Sequence, residues 1–114
     1  MYAVRAYEKQ HGNSQKGGHM RESTLERKLV DAVKRIGGMA PKWTSPGNRG
    51  VPDRLVILPN GLTVYVEMKA PGKPLQPLQV HWAKKLTKLG HRVYKIDSAA
   101  AIDQFIKEVS GVEI

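Results

Sequence analysis

Cysteine is absent from this sequence of 114 residues, so disulfide bonds and thiolate metal ligands are excluded. No apolar run reaches the roughly 18 residues that a membrane-spanning helix needs, and the first residues do not build the apolar region of a signal peptide. A reducing cytoplasm is compatible with the absence of cysteine. The length predicts a single domain.

Acidic residues are also few, with 10 Asp and Glu against 19 Lys and Arg and a sequence pI of about 10.0. An excess of this size favours a polyanionic partner, because binding releases the counterions of the neutralised phosphates. The alternatives are a solvated basic surface without a ligand and an anionic membrane surface. The membrane would require a helix with a free apolar face, whereas the core needs the apolar faces found here.

Residues 1–19 differ from the rest of the chain, because they are polar, lack periodicity and end in two glycines and His19, directly before Met20. This pattern is typical of an expression tag, and a native flexible arm is the alternative. The segment holds three basic residues and one acidic residue, so residues 20–114 keep 16 and 9, a net charge of +7. The basic character therefore belongs to the predicted domain, residues 20–114.

Helical and strand periodicities alternate along that domain and predict the order αβββαβα. Strands that are apolar on both faces indicate an α/β fold with a mixed central sheet flanked by helices. In the second helix we expect an apolar face of Leu78, Trp82, Leu86 and Leu89, with Trp82 in the core more readily than as a stacking platform. The predicted helices are 23–36, 77–89 and one capped by Ser98, and the predicted strands are 39–44, 53–58, 62–68 and 91–96.

Two acidic residues flank a predicted hairpin turn, Pro59-Asn60-Gly61. A three-residue loop, with Pro59 and Asn60 in a type I turn and Gly61 left-handed, pairs residues whose numbers add to 120. Asp53 then lies opposite Glu67, on the same face of the sheet, and Lys69 follows on that face. A two-residue Asn-Gly turn would instead put the two acids on opposite faces.

Opposed carboxylates in apolar strands require a compensating charge. A hard divalent cation supplies it, and Mg²⁺ prefers one or two carboxylates with water and phosphate oxygens. Such an ion activates water and polarises a phosphodiester, while Lys69 would orient or deprotonate the attacking water, or stabilise the phosphate. The alternative is a surface carboxylate pair neutralised by Lys69 and Arg54.

These motifs resemble those of the VRR-NUC family, within the PD-(D/E)XK nuclease superfamily. The resemblance spans residues 20–109 and rests on Glu26, residues 50–53, residues 66–69, and Gln79 with Trp82. It implies a restriction-endonuclease-like core in which Asp53, Glu67 and the Met68 carbonyl bind Mg²⁺, with Mn²⁺ able to substitute. Lys69 would be catalytic, Gln79 would order active-site water, and Glu26 would lie near the metal, although a capping box with Ser23 also explains Glu26.

The resemblance further implies a homodimer that cleaves branched DNA, above all four-way junctions, in the cytoplasm of a bacterial or phage-infected cell. Two alternatives remain: a non-catalytic nucleic-acid-binding module on a nuclease fold, and a restriction-like enzyme that reads a base sequence. The candidate DNA contacts are polar or basic, and the helical lysines among them also fit a solvated face. They are Lys42, Ser45, Arg49, Lys84, Lys85 and Lys88.

Overall fold

The computed structural model describes residues 20–111, so the prediction for residues 1–19 lies outside the described residues. Three helices and three strands alternate along this part, in the predicted order except for the first strand. None of the described helices is long and apolar enough to cross a membrane. The elements are α1 (Glu22–Arg35), β1 (Arg54–Ile57), a 3₁₀ turn (Pro59–Gly61), β2 (Thr63–Met68), α2 (Pro77–Lys88), β3 (Val93–Ile96) and α3 (Ala99–Ser110).

The strands form one mixed sheet in the order β1-β2-β3, antiparallel between β1 and β2 and parallel between β2 and β3. Arg54 pairs with Val66, which is the register predicted from the turn. The turn itself differs from the prediction, because Asn60 has φ 69° and ψ 18° instead of a type I conformation. Asparagine tolerates this left-handed region, so the loop keeps three residues and the register is unchanged.

The predicted strand at 39–44 was wrong in extent. Only two isolated antiparallel bridges remain, Met39 with Ile57 and Lys42 with Arg54. Pro41 lies between them and accepts a hydrogen bond from Leu55 N–H through its carbonyl oxygen at 3.0 Å. Because proline has no N–H to return, the ladder is interrupted there, and the segment follows β1 as an irregular edge.

Helices cover both faces of the sheet, as predicted. One face packs the larger core against α1 and α3, and alternate β2 residues such as Val64 and Val66 belong to it. The other face carries Tyr65 and Val93, which pack against Ala83 and Leu86 of α2. Successive strand residues point to opposite faces, so residues 65, 67 and 69 share the α2 side.

Helix ends follow the predicted pattern at two of three N-termini. Ser98 caps α3, accepting a hydrogen bond from Ala101 N–H at 3.0 Å. Pro77 is the first residue of α2, as predicted. The predicted apolar face of α2 was partly wrong, because Leu78 and Leu89 are exposed. Trp82 is half-buried against the α2 cluster, in line with a packing role.

Candidate metal and nucleic-acid site

Asp53 lies one residue before β1, opposite Glu67 in the extension of the observed register. Its Oδ1 accepts a hydrogen bond from Met68 N–H at 3.3 Å, which ties the residue to the end of β2. Lys69 Nζ is 4.0 Å from Glu67 Oε2. The hairpin therefore gathers two acids and one lysine at one end of the sheet, on the face that carries α2.

Burial raises the pKa of both carboxyls. Desolvation lifts the pKa of Glu67 from 4.5 to about 8, the charge of Asp53 adds to the rise, and Lys69 opposes it. Desolvation likewise raises the pKa of Asp53 to about 6, although the Met68 N–H acts in the opposite direction. Asp53 therefore loses its proton first, and its charge then helps to hold the proton on Glu67. Perturbation of this kind is characteristic of a functional site.

Gln79 from the first turns of α2 orients Glu67. Its Oε1 accepts a hydrogen bond from Gln76 N–H at 2.7 Å, within a capping box. Because a backbone N–H can only donate, this contact directs Nε2 towards Glu67, and Nε2 donates to Glu67 Oε2 at 2.6 Å. The predicted residue is thus in direct contact with the acidic pair, while its role in ordering water stays a prediction.

The donor set fits a hard cation. Glu67 Oε1 is buried and has no hydrogen-bond partner among residues 20–111, a state that normally costs stability unless another ligand occupies it. Within the same part of the chain no three acidic or histidine side chains meet. Two carboxylates would therefore provide the side-chain ligands, and Mg²⁺ commonly completes such a set with water and phosphate oxygens. Coordination by the Met68 carbonyl remains a prediction.

Glu26 forms no capping box, so that alternative was wrong. Arg21 is the N-cap of α1, without a side-chain hydrogen bond. Glu26 Oε1 instead accepts from Arg54 Nη2 at 2.7 Å, while Nη1 donates to the Ala40 carbonyl at 2.7 Å. The charge of Glu26 still contributes to the raised pKa of Asp53, which indicates that Glu26 lies near the acidic pair.

The candidate DNA contacts fall into two groups. The loop group, Lys42, Ser45 and Arg49, lies beside the two acids. Lys42 forms an isolated antiparallel β-bridge with Arg54, and Trp43 N–H donates to the Asp53 carbonyl at 2.8 Å. Ser45 Oγ accepts from Asn48 Nδ2 at 2.9 Å within this loop. The helix group is exposed on α2, five to nine residues beyond Gln79, or roughly 8–14 Å along the axis. Its members are Lys84, Lys85 and Lys88; Arg49 of the loop is exposed as well.

Sequence reasoning missed one charged cluster on this face. Lys95 and Asp97 at the end of β3 are buried and joined at 2.8 Å between Nζ and Oδ2. The available signal was a lysine in a strand predicted to be buried and an aspartate directly after that strand. Their spacing of two residues puts both side chains on one face.

A mixed sheet between helices, with opposed carboxylates and a lysine at one end, defines a nuclease-type α/β domain. A model of the VRR-NUC domain matches residues 3–100, and the chain belongs to the VRR-NUC family. It is 52% identical over 79 residues to "Putative nuclease p44" of Acyrthosiphon pisum secondary endosymbiont phage 1, covering 69% of this chain and 85% of that protein. A solved structure of a VRR_NUC domain is also similar, with a TM-score of 0.72 and 29% identity over 75% of this chain and 94% of that one.

Proposed function

We propose that this protein is a Mg²⁺-dependent endonuclease that hydrolyses phosphodiester bonds in DNA. One observation carries the proposal: two desolvated carboxylates lie opposite each other beside a lysine, and a buried oxygen of Glu67 lacks a partner among residues 20–111. Membership of a nuclease family agrees with this chemistry. The excess of basic residues favours a polyanionic substrate.

Each residue of the site has a distinct task in this proposal. Asp53 and Glu67 would hold the ion, with the Met68 carbonyl as a further oxygen ligand. When bound, Mg²⁺ lowers the pKa of water and polarises the scissile phosphate. Gln79 holds one oxygen of Glu67 by its 2.6 Å hydrogen bond, which leaves Oε1 for the ion. Lys69 would orient the attacking water and stabilise the charge that develops on the phosphate.

We further propose that the substrate is branched DNA, with four-way junctions as the first choice, and that a homodimer acts on it. The family motivates this part of the proposal. Two copies would present two sites to two strands. The exposed lysines of α2 and the loop group would contact phosphates, and such contacts position a substrate without selecting bases.

The decisive experiment offers four-way junctions, flaps and linear duplex to the protein with Mg²⁺, Mn²⁺ or EDTA. We expect cleavage with either ion and none in EDTA. Lys69→Met should lower the cleavage rate by at least about 100-fold while junction binding persists. Lys34 is an exposed lysine on α1, and Lys34→Met should leave both cleavage and binding unchanged. Intact substrates with folded wild-type protein would contradict the proposal and favour a non-catalytic module. Cuts at one base sequence in linear duplex would favour a restriction-like enzyme.

Sedimentation tests the dimer separately. A dimer at micromolar concentration, alone or with junction DNA, is expected, and a monomer under both conditions would remove this part of the proposal. The proposal of cleavage and the proposal of a homodimer can therefore be refuted independently of each other.

A further inference from the structure

A buried ion pair lies beside the proposed site and takes no part in the chemistry described so far. Lys95 is 1% exposed and Asp97 is 2% exposed, and Lys95 Nζ lies 2.8 Å from Asp97 Oδ2. Burying two charges sacrifices their solvation, and well-packed apolar residues of similar volume are often equally stable or better. Stability alone is therefore a weak reason for placing a charged pair here.

The pair reaches the loop that joins two residues of the proposed site. Gly72 N–H donates to Asp97 Oδ2 at 3.2 Å. Gly72 belongs to the loop 70–76, which follows Lys69 and leads into α2. The loop turns sharply there, with Gly72 at φ 77° and Lys73 N–H donating to the Ala70 carbonyl at 3.0 Å. Asp97 thus fixes the chain three residues after Lys69.

The neighbouring residue of β3 holds Lys69 itself. The Ile96 carbonyl accepts a hydrogen bond from Lys69 N–H at 2.9 Å. Two successive residues, Ile96 through its backbone and Asp97 through its side chain, therefore hold the segment at Lys69 and at Gly72. The far end of the same loop begins α2, from which Gln79 contacts Glu67.

The sheet register explains why a lysine neutralises this aspartate. Lys95 is the partner of Glu67 across the parallel strands, and both side chains lie on the α2 face. Asp97 continues that row and comes within reach of Lys95, two residues before it. At the end of β3, Lys95 is followed by Asp97, whereas at the end of β2, Glu67 is followed by Lys69. The lysine and the carboxylate therefore come in opposite orders in these two neighbouring segments.

We propose that Asp97 is a positioning residue for cleavage, which anchors Gly72 and so fixes Lys69 and the start of α2. Lys95 neutralises Asp97 so that the anchor can be buried. The inference rests on the proposed nuclease function for its kinetic consequence, while the anchor itself is testable without activity. A misplacement of about 1 Å caused by a distant change can cost on the order of 100-fold in rate.

Two double variants separate the anchor from the charges. Lys95→Met/Asp97→Asn removes both charges and keeps an oxygen that can accept from Gly72 N–H. Lys95→Met/Asp97→Leu removes both charges and the acceptor. We expect the Asn variant to keep kcat within about threefold of wild type and the Leu variant to lose roughly 10- to 100-fold. KM and Mg²⁺ affinity should stay within about threefold in both, because Asp53 and Glu67 are unchanged.

Amide hydrogen exchange provides a readout that needs no cleavage, and its wild-type measurement needs no variant. The Gly72 amide should be protected in wild type and in the Asn variant, and should exchange at least tenfold faster in the Leu variant. Wild-type exchange at the rate of an open loop would overturn the anchor, and so would equal kcat values in the two double variants. If wild type protects Gly72 and cleaves no DNA, the proposed function fails while the anchor stands.

Discussion

Replacement of Glu67 by glutamine should stabilise the metal-free protein at high pH. The folded carboxyl has a pKa of about 8 against an ordinary value of 4.5, so between these values the folded protein binds more protons than the unfolded chain. Stability then falls as pH rises through this window, because the free energy of unfolding follows the difference in bound protons. Below pH 4.5 both states are protonated and the difference disappears.

The magnitude follows from about 1.4 kcal/mol for each pKa unit. The penalty in wild type is about 3 kcal/mol at pH 7, about 5 kcal/mol at pH 9 and close to zero at pH 4. Glutamine has nearly the same shape and carries no charge, and its carbonyl oxygen can still accept from Gln79. After allowing about 1 kcal/mol for imperfect pairing of the new amide group, Glu67→Gln should be more stable by about 2 to 4 kcal/mol at pH 9.

Urea unfolding in EDTA at pH 4, 7 and 9 measures the effect directly. A gain of this size also raises the melting temperature by roughly 10–20 °C in a domain of this length. Asp31→Asn, an exposed carboxyl on α1, is the matched control and should change little at any pH. Mg²⁺ should stabilise wild type and not Glu67→Gln, because only wild type retains both acidic ligands. A constant difference between wild type and Glu67→Gln from pH 4 to 9 would refute the reasoning.

Three further predictions concern the same site. Lys69→Met should lower kcat by about 10²–10⁴-fold with Mg²⁺ affinity by calorimetry within about tenfold, and a parallel loss of affinity would show that Lys69 acts through the ion. Mg²⁺ affinity should rise between pH 6 and 8 with release of protons, because the two carboxyls must ionise to bind the ion. Calorimetry in buffers of different ionisation enthalpy counts those protons. A pH-independent affinity would contradict the raised pKa values. Gly50→Ala should destabilise by about 1–3 kcal/mol in urea, because a Cβ at φ 93° would lie 2.7 Å from backbone and side-chain atoms of Leu78, whereas Gly47→Ala, at φ 85° in open space, should cost less.

Much of the site was predictable because a short turn fixes a long register. Three loop residues decide that Asp53 meets Glu67, and that count is visible in the sequence even though the conformation of Asn60 was not. The predicted boundaries of the helices and of β2 and β3 lie within about two residues of the observed ones, because periodicity, Pro77 and Ser98 are local signals. The turn sets the pairing of β1 with β2, and that pairing puts Asp53 opposite Glu67.

The failures concern contacts across the fold. Leu78 and Leu89 match a helical apolar stripe, yet both are exposed, and Gln79 and Ala83 face the sheet instead. The partner of Glu26 is 28 residues away, so a local capping box was the only visible explanation beside a family likeness. Lys95 lies in the buried strand β3 and Asp97 directly follows it, and only the register with β2 reveals which residues they neighbour.

Asp53 and its neighbour Arg54 send opposite charges to opposite sides of the sheet. The Asp53 carboxylate lies beside Glu67 on the α2 side, while the Arg54 guanidinium donates hydrogen bonds to Glu26 and to the Ala40 carbonyl on the α1 side. One peptide unit therefore connects the helix on the far side to the reactive side. We therefore expect a substitution of Glu26 that frees Arg54 to disturb the adjoining Asp53, so that an assay of cleavage would detect a change made on the α1 side of the sheet.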